Sequence, residues 1–95
     1  MFDFKIGADP EFLMFHNNSL APAGSVIETV FSKTNDYPLG SMGARIGDNG
    51  VFGWDGHNRT GELRPAPAND PHTVAEHLGN LVKAGMEKMP YVTIT

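Results

Sequence analysis

The chain has 95 residues, enough for one domain with a modest core. Its composition, 40% hydrophobic and 19% charged, is that of an ordinary globular protein, and a net charge of −4 with no basic stripe argues against nucleic acid as a partner. The absence of cysteine excludes disulfides and thiolate zinc sites, and no apolar run approaches membrane-spanning length.

Phe2, Phe4 and Ile6 alternate with Asp3 and Lys5, the period of a strand with one buried face. The same two charges break any signal-peptide pattern, so a cytoplasmic protein is expected. The alternation continues through Phe12 and Met14, with Glu11, Leu13 and Phe15 on the opposite face and Asp9-Pro10 interrupting the ladder. His16-Asn17-Asn18-Ser19 signals a turn, and the chain returns over 20–23 as the second strand of a hairpin. Residues 24–43 read as a long loop with at most one helical turn. Strands follow at 44–46 and 51–54 around Gly47-Asp48-Asn49-Gly50, where Asn-Gly is a hairpin signal. After a turn over 55–59, residues 60–64 form a short strand stopped by Pro65 and Pro67. One helix is expected over 70–89, capped by Asp70, opened by Pro71 and ended by Pro90. Its apolar stripe is Val74, Leu78, Leu81, Val82 and Met86, and Gly85 is expected to weaken it. Residues 91–95 resemble one more strand. The expected class is α+β: an antiparallel sheet of short strands and hairpins, with one amphipathic helix on one face and the other face free for a ligand.

Two acidic motifs carry the chemistry. Asp9 and Glu11 lie two apart in a strand-like run, where acidic residues are disfavoured without a reason. Asp55 precedes a second strand in which Glu62 and Arg64 share one side. Carboxylates from neighbouring strands suit a hard cation such as Mg²⁺, and the arginine fork suits phosphate or carboxylate. Judged alone, each group also fits a solvated strand face. His16, His57, His72 and His77 are scattered and are read as solvated or locally hydrogen-bonded.

Gly7-Ala8-Asp9-Pro10-Glu11-Phe12 resembles the opening strand of the amidoligases. Asp55-Gly56 followed by Gly61-Glu62-Leu63-Arg64-Pro65-Ala66-Pro67 and a helix capped by Asp70-Pro71 is similar to the continuation of the same family, over about Ile6 to Val82. The nearest likeness is to the type-2 carboxylate–amine ligases of bacteriophages, within the glutamine synthetase and glutamate–cysteine ligase superfamily. The resemblance implies a glutamine synthetase-like sheet whose concave face holds ATP and Mg²⁺ or Mn²⁺. It implies amide formation by phosphorylating a carboxylate with ATP and displacing phosphate with an amine. Glu11 and Glu62 would then be metal ligands, Asp9 and Asp55 second-layer or alternate ligands, and Arg64 the residue that contacts phosphate or substrate carboxylate.

Family members are much longer, and their later histidine-containing motif has no match here. The 95 residues therefore read as one partial amidoligase-like domain, inactive alone, whose final strand presents an unpaired edge through which copies could associate. The alternatives are a phage-derived, non-catalytic binding or interaction module that keeps the truncated fold, and a small structural α+β protein whose acids are solvated surface.

Overall fold

Two helices converge on Phe52, and the computed structural model, which describes residues 9–56 and 60–95, is organised around that contact. The strands are β1 (Glu11–Phe12), β2 (Met14–His16), β3 (Ser19–Ala21), β4 (Leu39–Gly40), β5 (Gly43–Arg45), β6 (Gly50–Trp54), β7 (Gly61–Pro65) and β8 (Thr93–Ile94). The helices are α1 (Ala23–Phe31) and α2 (Pro71–Lys88). The strands form two antiparallel sheets, one in the order β1-β7-β6-β5-β4 and one in the order β3-β2-β8. The α+β class is as expected. The strand proposed over Phe2, Phe4 and Ile6 lies outside the described residues, as does most of the 55–59 turn.

Alternation along the strands decides which side is core. Phe52 pairs with Leu63 on one side and Ala44 on the other, and all three are buried. Phe52 meets the Phe12 ring at 5.3 Å and the Phe31 ring of α1 at 6.1 Å between centroids. The α2 backbone comes so close that a Cβ on Gly85 would collide with the Phe52 ring. Gly85, expected only to weaken the helix, is what lets α2 lie against the sheet.

The 24–43 stretch corrects the expected loop. Ala23, Ile27 and Phe31 recur at four-residue spacing and are fully buried, so this segment folds as α1 against β5 and β6. Its intrinsic helical signal is weak: it contains Gly24, is rich in β-branched residues, and has no side-chain N-cap. Burial supplies the order that propensity does not. Residues 32–38 are then tied down by Lys88, whose Nζ is 2.9 Å from Asp36 Oδ2 and lies over the Tyr37 ring.

The β2–β3 hairpin is as expected: Asn17 and Asn18 both have positive φ, 52° and 64°, the type I′ requirement. The β5–β6 connection differs. It is a 3₁₀ turn over Gly47–Asn49, with positive φ at Gly47 and Gly50 rather than at Asn49-Gly50. His16 lies at the end of β2 rather than in the turn, edge-on to the Tyr91 ring at 5.6 Å. The final strand pairs with β2, Met14 opposite Ile94. On its other side β8 has no strand neighbour among the described residues.

Helix α2 begins as expected. The Asp70 carboxylate accepts hydrogen bonds from the Thr73 N–H at 3.0 Å and the Thr73 hydroxyl at 2.7 Å, and Pro71 takes the first helical position. Its buried residues are Val74, Leu81, Ala84 and Gly85, with Leu78 packed at the margin. Val82 and Met86, expected in the stripe, are 40% and 38% exposed, because the helix is rotated to bring Gly85 rather than Met86 onto Phe52. No helix among the described residues is long and apolar enough to cross a membrane.

Two tests follow from this packing. Leu81→Ala is expected to cost about 2–5 kcal/mol, the range for emptying a buried leucine site. Val82→Ala should stay within about 0.5 kcal/mol, as surface changes do. Gly85→Ala should lower the melting temperature despite the roughly 1 kcal/mol helix-propensity gain of alanine, because its methyl meets Phe52. Thermal melts of the three variants check this, and a stabilised Gly85→Ala would refute the close approach. The second test concerns acid. Hydrogen bonds from the Thr73 hydroxyl and N–H hold the Asp70 carboxyl below its ordinary value of 3.8. A depressed carboxyl contributes stability that is present above the ordinary value and lost as pH falls through the lower, folded value. The melting temperature of the native chain should therefore fall more steeply below pH 4 than that of Asp70→Ala, and parallel curves would show that the cap carries no such contribution.

Candidate functional site

With Phe52 and Leu63 turned toward the helices, their neighbours Val51, Gly53, Glu62 and Arg64 face the other side. Strand β1 joins this face in one register: Glu11 lies directly opposite Glu62, and Phe12 opposite Gly61. The Leu63 N–H donates to the Pro10 carbonyl at 2.9 Å, which makes Pro10–Leu63 a hydrogen-bonded position. Hydrogen-bonded and non-hydrogen-bonded pairs alternate, so Glu11–Glu62 is the close, non-bonded kind, with Cα atoms about 4.5 Å apart. Two like charges directly opposite are destabilising unless something offsets them. Glu11 is exposed, and the Glu62 side chain is 20% exposed, so a small ion can reach both.

Arg64 supplies part of the offset to Glu62. Its Nη1 is 3.5 Å from Glu62 Oε1, a long ion pair. The stronger contacts run elsewhere: Nη1 donates to the Trp54 carbonyl at 3.1 Å and Nη2 to the Met42 carbonyl at 2.6 Å. The guanidinium lies over Gly53 and Gly43, where an added Cβ would stand 2.6 Å and 3.0 Å from Nη2. Glycine inside a strand marks such a close approach. Met42, in the β4–β5 turn, has φ 56°, a left-handed conformation that costs a non-glycine residue on the order of 1–3 kcal/mol. Its carbonyl also accepts the Trp54 N–H at 3.1 Å, so this turn is held by ladder and arginine together.

The remaining predicted residues are on or near the same face. Asp55 extends the β6–β7 pairing through its N–H to the Thr60 carbonyl, 3.2 Å, and stands two residues beyond Gly53 on the Glu62 side. That makes it a diagonal neighbour of Glu62, about 7–8 Å away. Asp9 is exposed, two residues before Glu11 and one before the last paired position. Among the described residues no three histidine, aspartate or glutamate side chains gather closely enough to hold a metal ion together. The structure thus brings Glu11 and Glu62 together and leaves Asp9 and Asp55 at the periphery. His72 Nε2 pairs with Glu76 at 3.2 Å, and His77 Nδ1 is 2.7 Å from the Ala66 carbonyl, so both are locally engaged. The sequence reading missed Met42, Gly43 and Gly53. The detectable signal was Gly53, between Phe52 and Trp54 in a strand that gains nothing from a glycine unless something lies on it.

Comparison with known proteins finds no match: no protein-family model, no curated protein and no solved structure corresponds to the chain.

The geometry separates the two charged roles by their expected effects. Glu11→Gln should stabilise the metal-free protein by about 0.2–1 kcal/mol, the scale of a cross-strand pair, because it removes repulsion and leaves the Arg64 contact intact. Arg64→Lys should destabilise it by about 1.5–3 kcal/mol, since a lysine amine cannot span both carbonyls. Denaturant melts in chelator check both. A destabilised Glu11→Gln would mean that Glu11 has a stabilising partner instead of a like-charged one.

Proposed function

We propose that this chain is the opening part of an amidoligase-like, ATP-dependent carboxylate–amine ligase, and that its helix-free sheet face binds a divalent cation and nucleotide phosphate. The observation that supports this reading is the juxtaposition of Glu11 and Glu62 in a close cross-strand pair on an accessible face. Mg²⁺ takes one or two carboxylates and keeps water or phosphate oxygens on its other positions, so a two-carboxylate site fits it without a third protein ligand. Glu11 and Glu62 would hold the ion, and Asp55 and Asp9 would accept hydrogen bonds from water around it. When bound, the cation neutralises charge on a transferring phosphoryl group. The reaction proposed for the complete enzyme is phosphorylation of a carboxylate followed by attack of an amine, giving an amide and phosphate.

A second reading, a non-catalytic binding module, draws on Arg64. Both of its terminal nitrogens are engaged by main-chain carbonyls, which suits a residue that fixes the sheet better than one that follows a reacting phosphoryl group.

Mg²⁺ or Mn²⁺ should raise the melting temperature by mass action, because the folded state alone presents the pair. With two carboxylates the affinity is expected to be of millimolar order, and at ten times the dissociation constant the gain is about 1.4 kcal/mol. ATP should add to it in the presence of Mg²⁺, and Glu11→Gln should abolish the metal response. A melting temperature indifferent to Mg²⁺, Mn²⁺ and Mg²⁺–ATP would refute the reading. Phosphate release from ATP on adding candidate carboxylates and amines would favour the ligase over the binding module.

A further inference from the structure

The face that carries Glu11 and Glu62 continues across the sheet as a row of glycines. Gly53 pairs with Glu62, Gly43 with Gly53, and Gly40 with Gly43. Beside this row runs a second one, Arg64–Val51–Arg45, also on the helix-free side. At its far end is a groove of about 300 Å³, lined by Gly40, Ser41, Gly43, Arg45 and Val51 among others. Arg64 and Arg45 are the two arginines of this row, and they differ in availability. Arg64 has its two terminal nitrogens on the Trp54 and Met42 carbonyls and on Glu62. Arg45 is exposed, and among the described residues its side chain makes no ion pair or hydrogen bond.

We infer that Arg45, not Arg64, recognises the anionic group of the ligand, in the groove at the β4–β5 end of this face that Ser41 also lines. The inference rests on the reading of the Glu11–Glu62 pair as the cation end of the same site. From Glu62 to Arg45 the chain crosses two strand spacings and two residues of rise, about 12 Å between backbones at ~4.8 Å per strand and ~3.4 Å per residue. Side chains reach inward from both ends. Over Gly43 and Gly53, between the two ends, lie the Arg64 guanidinium, the Val51 side chain and the Met42 carbonyl. A molecule with a cation-bound end and a second oxyanion would pass over these groups to reach Arg45. Arg45 presents a free planar fork, which matches carboxylate and phosphate alike.

The test uses the ¹⁵N-labelled chain, with pyrophosphate and glutarate as separate probes, each against sodium chloride at matched ionic strength. Saturable amide shifts are expected at Gly40, Ser41, Gly43, Arg45 and Val51. Arg45→Gln should weaken binding at least tenfold while leaving the melting temperature unchanged, because Arg45 is exposed and unpaired. Tighter binding of pyrophosphate would assign the groove to nucleotide phosphate, and tighter binding of glutarate to a carboxylate substrate; either ranking supports the subsite. Equal shifts in sodium chloride, shifts confined to other residues, or unchanged affinity in Arg45→Gln would overturn it. A parallel Mg²⁺ titration read at Glu11 and Glu62 keeps the two ideas apart. A Mg²⁺ response without anion binding at Arg45 sinks the subsite alone. Anion binding at Arg45 without a Mg²⁺ response sinks the cation reading and leaves the oxyanion groove standing.

Discussion

Packing of Phe52 sets the parity of the five-stranded sheet. Its ring is shared by Phe12, by Phe31 of α1 and by the Gly85 backbone of α2, so two helices and two strands meet at one side chain. A strand alternates strictly, and a slip of one residue would turn the whole apolar set outward. Once Phe52, Leu63 and Ala44 are committed to the core, Gly53, Glu62, Arg64 and Arg45 have no choice but the opposite face. The chemistry of that face is thus a consequence of hydrophobic burial on the other. Glu11 is recruited by the same logic, since Phe12 must reach Phe52 and its neighbour in sequence then falls opposite Glu62.

The acid pair alone would be a defect. Arg64 moderates it by a route that also fixes the sheet: its fork crosses from β7 over β6 to the β4–β5 turn. Two positions must be glycine for this crossing, and one turn residue must hold a left-handed backbone. Backbone strain and glycines kept for close approach are features that cluster at functional sites. They are why the face is read as a site instead of a solvated surface. An ion drawn to Glu62 would compete with Arg64 for the same carboxylate, which links cation binding to the turn that borders the Arg45 groove.

Elements with a strong local code were legible in the sequence. The Asp70-Pro71 cap placed the start of α2, the Asn17-Asn18 pair gave the hairpin, and alternation around Glu11 and Glu62 put both on one face of adjacent strands. Helix α1 was not legible, because its β-branched residues and Gly24 favour no helix until Ile27 and Phe31 are buried by strands far along the chain. The rotation of α2 was hidden for a similar reason. Val82 and Met86 fit the helical stripe as well as Ala84 and Gly85 do, and only the Phe52 ring selects between them. The role of Arg64 could not be read from Glu62–Arg64 spacing, since its strongest partner is a carbonyl 22 residues away.

The central claim is that Glu11 and Glu62 act as one charged unit, repulsive when empty and cooperative with a cation. A double-mutant cycle of Glu11→Gln and Glu62→Gln, melted in chelator and again in saturating Mn²⁺, tests it most directly. In chelator the two substitutions remove the same repulsion, so the double variant should gain less stability than the sum of the separate effects. In Mn²⁺ either substitution should forfeit the ligand-induced gain, and the second should cost nothing more. Strict additivity in both conditions would contradict the claim, because it would mean that the two carboxylates, though opposite each other, neither repel nor share an ion.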